Sequence, residues 1–190
     1  MRINKYKISE SFLWLLILSV TFFVSRFVYY WVGVRFNSST IDGSWQLLET
    51  DLLRNNLLES LFYNHIQPPL FNLFLGVVLK IAPGYENAVF LAIYLMLGYS
   101  MYVLLFVLLY SFDASHKVAY IISSIFIVSP GAIMYENDLF YTYPQAALLI
   151  LITYLLHTYL KKQKTHLVFL FFYCIFILCG IKSSWHWGYY

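Results

Sequence analysis

The side chains able to do chemistry lie in two polar stretches set between long apolar runs. The first opens with Thr40-Ile41-Asp42-Gly43-Ser44-Trp45 and closes with His65-Ile66-Gln67-Pro68-Pro69-Leu70-Phe71. The second reads Tyr135-Glu136-Asn137-Asp138-Leu139-Phe140-Tyr141-Thr142-Tyr143-Pro144. Asp42 precedes a helical pattern, where a carboxylate either caps the helix N-terminus or, aimed at a bilayer surface, acts as a general base on a lipid-linked substrate. Pro68 and Pro69 end one helix and can start another. That turn brings His65 and Gln67 to the loop holding Asp42, where they can bind a phosphate or a sugar hydroxyl. Glu136 directly follows an apolar run and is placed to face a cavity. Asp138 lies in the short loop beyond it, solvating the loop or contacting a substrate there.

Arg26 stands inside the first apolar run. An ionisable group at that depth either snorkels to the interface or faces the protein interior, where it pairs with an acid or a lipid phosphate. Lys182 and His186 follow the last apolar run and suit phosphate contacts. Cys174 and Cys179 both lie inside that run, so neither a disulfide nor a metal site is expected from them. No phosphate-binding loop, zinc spacing, nucleophile elbow or dinucleotide fingerprint occurs, and no cofactor is expected. A net charge of +3 gives no nucleic-acid footprint.

The elements that must position these residues follow from composition. Of the 190 residues, 61% are hydrophobic and 11% charged, against about 25% charged in soluble domains. So few charges cannot clothe a fold in water, and several apolar runs reach the roughly 18 residues a spanning helix needs. The expected fold is all-α, a polytopic transmembrane helical bundle forming one domain over 1–190. Spanning helices are expected at about 12–34, 88–112, 118–134, 143–160 and 166–181. The segment 69–82 is read as a membrane-embedded or interfacial helix that does not cross. Between them, Trp45, Leu48, Leu52, Leu53, Leu57 and Leu61 recur at helical spacing, predicting an amphipathic juxtamembrane helix over about 44–63.

Basic residues concentrate in cytoplasmic loops. With 69–82 not crossing, Arg2/Lys5/Lys7, His116/Lys117 and Lys161/Lys162/Lys164 all fall on the cytoplasmic side, as does the N-terminus. Seven of the nine acidic residues, Asp42 and Glu136 among them, then share the outer face. The run at 12–34 is too long for a signal peptide and lacks a small-residue cleavage site, so it is read as a retained helix in a plasma or inner membrane. The sequon Asn37-Ser38-Ser39 faces outside in this arrangement.

An N-terminal spanning helix, an outer loop with an acid, an amphipathic helix, a His-x-x-Pro-Pro-Leu string and a second acidic loop resemble the N-terminal part of the GT-C membrane glycosyltransferases. The pattern is most similar to the protein O-mannosyltransferase and lipid A aminoarabinose transferase group. The resemblance covers roughly residues 10–160. It puts the family's first-loop acid on Asp42, its His-Pro-Pro-Leu motif on His65, Pro68, Pro69 and Leu70, and its second acid on Glu136. Gly43 follows Asp42 where the family shows an acidic pair, and Ile66 and Gln67 separate His65 from the prolines.

The resemblance implies transfer of a sugar, with inversion, from a polyprenyl-phosphate donor to a lipid, glycan or protein acceptor on the outer face. Asp42 would deprotonate the acceptor hydroxyl, Glu136 would place acceptor or base, and Arg26 or Lys182 would offset the phosphate charge. Family members are longer, so the chain is read as the front portion of such an enzyme, a partner chain being one source of the missing helices. The rival readings are a non-catalytic accessory subunit or fragment, and a transporter of a lipid-linked substrate. The latter calls for charges at mid-membrane depth on several helices.

Overall fold

A computed structural model describes residues 5–63 and 69–181, the first seven of these by backbone only. The expectations for His65, Gln67, Lys182 and His186 fall outside the described residues. Within them the protein is all-helical: α1 (Lys5–Trp31), α2 (Thr40–Gly43), α3 (Thr50–Asn55), α4 (Leu57–Phe62), α5 (Pro69–Ile81), α6 (Glu86–Ser111), α7 (His116–Val128), α8 (Pro130–Glu136), α9 (Thr142–Lys162) and α10 (Thr165–Ile181).

Among the described residues three helices are long and apolar enough to cross a membrane: α1 over Phe12–Trp31, α6 and α9. At 1.5 Å per residue each is about 30 Å long or more, the thickness of a bilayer's hydrocarbon. Their outer faces are apolar too: on α1, Val20, Phe23 and Phe27 are exposed, as are Phe169, Phe172 and Phe176 on α10. Contiguous apolar surface of this extent calls for a non-aqueous neighbour. The described part of α10 has 17 residues and α5 has 13, or about 26 and 20 Å, short of a full crossing.

The run expected to span as one helix at 118–134 is two helices, α7 and α8, bent by 56°. The cause is Pro130, the first residue of α8. It has no N–H to continue the ladder, and its ring excludes the carbonyl one turn back. Ser129 before it is extended at ψ 144°, and its hydroxyl caps the new helix at Ala132 N (3.3 Å). The surface helix expected over 44–63 also differs. Residues 44–49 are not helical, because the Leu48 N–H donates to Asn72 Oδ1 on α5 (2.9 Å). The remainder breaks at Asn56, where two successive asparagines favour local side-chain bonding over helix. Leu53 and Leu57 stay buried on either side of the break. Leu57 presses on α5 at Gly76, where any Cβ would overlap its methyls.

Helix α1 packs on α6 and α7, α6 also on α9, and α9 forms a hairpin with α10. Short helix α5 lies at one end of these. Phe71 meets the Tyr141 ring just before α9 (6.0 Å), Phe74 meets Phe90 in the first turns of α6 (5.6 Å), and Leu70 abuts Gly180 near the end of α10. Helix α1 stops at this same loop end. Gly33, at φ +106°, closes its last turn while Val34 N–H returns to Tyr29 O (3.0 Å).

Candidate functional site

Breaking the α7 ladder at Pro130 leaves carbonyls without helical donors. Two side chains of α1 take them up: Arg26 Nη1 donates to Ile127 O (3.1 Å) and Tyr29 OH to Val128 O (3.0 Å). The bend also turns α8 so that Glu136, at its end, meets the same arginine. Arg26 Nε donates to Glu136 Oε1 at 2.8 Å and Nη2 to Oε2 at 2.5 Å, a two-point fork. The third donor to this carboxylate is Tyr143 OH, at 2.5 Å from Oε2. Glu136 is fully buried, and the Arg26 side chain is 11% exposed. Arg26 further donates to Ser25 Oγ (3.0 Å), and its Cζ sits 3.9 Å from the centre of the Phe22 ring.

Space for this pair comes from α6. A Cβ at Gly98 would overlap Glu136 Oε2 and Tyr143 OH, so the glycine lets the carboxylate and phenol lie against the helix backbone. Arg26 and Glu136 line one wall of a cavity of about 280 Å³ between α1, α6 and α8.

The first polar stretch is sewn to the second at the loop end. Asn37 N–H donates to Asn137 O (2.7 Å), and Leu139 N–H to Asn37 O (2.9 Å), a short parallel bridge. Thr40 Oγ1 donates to Asp138 Oδ1 (2.7 Å). Tyr141 OH donates to Gln46 Oε1, and burial pushes this phenol up from its ordinary range. Tyr94 OH reaches Phe140 O from α6 (2.7 Å).

Asp42 therefore belongs to a segment fixed against the loop that follows Glu136, but the two carboxylates open into different spaces. Asp42 is exposed, accepts from Thr50 Oγ1, and lines a shallow depression of about 250 Å³ with Glu49 and Asp51. Asp138 is occupied by Thr40. Arg26, expected as a phosphate contact, has both faces of its fork on Glu136. An apolar cleft of about 430 Å³ lies between α5, α6, α9 and α10, walled by Phe74, Leu97, Pro144 and Phe176.

Tyr143 and Gly98 carry no signal in the sequence that would select them. Pro130 does: a Ser-Pro-Gly step inside an apolar run predicts a broken helix with exposed carbonyls to satisfy. Among the described residues no group of three or more His, Cys, Asp or Glu is arranged to hold a metal ion. No family model matches this chain, and no curated protein or solved structure matches it either.

Proposed function

We propose that the chain is a multi-pass protein of the cell membrane, a helical bundle with its N-terminus cytoplasmic, and that its loop end is the face on which a sugar is transferred from a polyprenyl-phosphate donor. One observation carries this reading: the seam of Asn37, Thr40 and Asp138, which fixes the segment bearing Asp42 against the segment bearing Glu136. Both acidic motifs of the glycosyltransferase resemblance thereby belong to one end of the molecule. The apolar cleft beside Pro144 offers a wall for the first isoprene units of a donor.

In this reaction Asp42 takes the proton of the acceptor hydroxyl. The acceptor oxygen forms the new bond to the anomeric carbon from the face opposite the leaving group. The anomeric carbon–phosphate oxygen bond breaks, and its electron pair leaves on the polyprenyl phosphate. Glu136, saturated by Arg26 and Tyr143, takes no proton in this scheme; it positions α8 and the loop after it.

The saturation of Glu136 also favours a second reading, a non-catalytic membrane subunit in which the ion pair is purely architectural. Turnover separates the two. The full chain in proteoliposomes, given polyprenyl-phosphate sugars and candidate acceptors, releases free polyprenyl phosphate if it is a transferase. Absence of release with every donor and acceptor class, from protein that retains its fold, would leave the subunit reading.

A further inference from the structure

The 280 Å³ cavity holds a second arginine that the Glu136 network does not use. Arg35 lies four residues beyond the end of α1, exposed at the cavity's rim. It is held from three sides. Nη1 donates to the carbonyls of Tyr30 and Val34 (2.9 Å to the latter), and Cζ sits 3.7 Å from the centre of the Tyr30 ring. Its Nε and Nη2 have no partner among the described residues, leaving a fixed guanidinium edge with free N–H groups. Within the cavity Glu136 is already neutralised by Arg26, so the lining carries a net positive charge.

Depth and wall chemistry say what that edge would meet. Tyr30 and Trp31 are exposed beside it, as aromatic residues are at the level of lipid headgroups. Besides the neutralised Arg26–Glu136 pair and Asn137, the lining below them is apolar, with Phe27 on α1 and Leu91 and Leu95 on α6. A free, rigid fork above an apolar slot between two helices matches a phosphate with a hydrocarbon chain attached.

We infer that the α1–α6 cavity binds an anionic phospholipid of the surrounding bilayer, its phosphate on Arg35 and an acyl chain along Phe27, Leu91 and Leu95. This rests on the bilayer placement proposed above and not on the transfer chemistry.

The test is lipid retention by the full chain, extracted in mild detergent from vesicles of equal phosphatidylglycerol and phosphatidylcholine and read by native mass spectrometry. Wild type is expected to retain phosphatidylglycerol about tenfold over phosphatidylcholine, whose choline cation offsets its phosphate at the net-positive lining. Arg35→Gln is expected to bring the ratio near one. Leu95→Trp, which leaves the arginine in place but fills the slot, is expected to lower retention as well. Equal retention of both lipids by wild type, or a preference that survives Arg35→Gln, overturns the assignment. Displacement of phosphatidylglycerol by millimolar inorganic phosphate would make this a site for a free anion. Stronger retention of farnesyl phosphate would make it a donor site; either result overturns the phospholipid. A chain that retains no lipid of any kind also overturns the assignment, whereas a chain that stays dispersed in water without detergent would contradict the bilayer placement itself.

Discussion

Arg26 and Glu136 stand 110 positions apart in sequence, yet the arginine's fork closes on both carboxylate oxygens, at 2.8 and 2.5 Å, inside a helical core. Buried pairs of this kind are costly to break singly, because removing one partner strands the other charge away from water; loss of about 3–5 kcal/mol is typical. Replacing both with apolar groups is far milder. Arg26→Leu and Glu136→Leu should each lower the thermal unfolding temperature in detergent sharply, and the double variant should recover most of it. A double variant as unstable as the sum of the singles would mean that the two groups are not coupled.

Pro130 makes that meeting possible by bending α7 into α8. In Pro130→Ala the ladder can run on through the break, taking Ile127 O and Val128 O away from Arg26 and Tyr29. Destabilisation should follow, although alanine is the better helix former. Its sign is the check: a stabilised Pro130→Ala protein would show that the bend does not serve the ion pair.

Gly98 leaves no room for a side chain beside Glu136 and Tyr143. Overpacking of this kind costs about 1–3 kcal/mol. Gly98→Val should therefore destabilise the wild type, but much less in a Glu136→Ala, Tyr143→Phe background, where both crowded oxygens are gone. Equal penalties in the two backgrounds would place the crowding elsewhere.

The seam at the loop end rests partly on one charge-assisted bond, Thr40 to Asp138. Thr40→Val keeps the side chain's shape and removes the donor, at a cost of about 1–2 kcal/mol. Limited proteolysis should then cut faster within residues 37–48, with little change elsewhere. Unaltered cleavage there would show that the bridge at Asn37 suffices alone.

How much of this was legible in the sequence depends on the range of each interaction. The long apolar helices α1, α6 and α9 follow from local composition, since a bilayer selects run length directly. An arginine amid α1 announces a buried partner or an interface, and Glu136 at the end of an apolar run announces a cavity. That the two meet was not legible, because pairing across 110 positions is decided by the bend at Pro130. The same proline undoes the single helix expected over 118–134. The helix expected over 44–63 fails for another reason: Asn72, from a later element, captures the Leu48 N–H, which periodicity within 44–63 cannot register. Nothing in type or spacing singles out Arg35; the Tyr30 ring and two carbonyls orient it only in the fold.

In the proposed transfer, Asp42 is the proton acceptor at the loop end. The most direct measurement is the rate of polyprenyl phosphate release by Asp42→Asn against wild type and Glu49→Gln, which alters a neighbouring carboxylate in the same depression. A positioned general base contributes about 10²–10⁴-fold to rate. Asp42→Asn should lose that much at unchanged thermal stability, while Glu49→Gln stays within about threefold of wild type. Transfer that survives Asp42→Asn unchanged would contradict the mechanism at its centre.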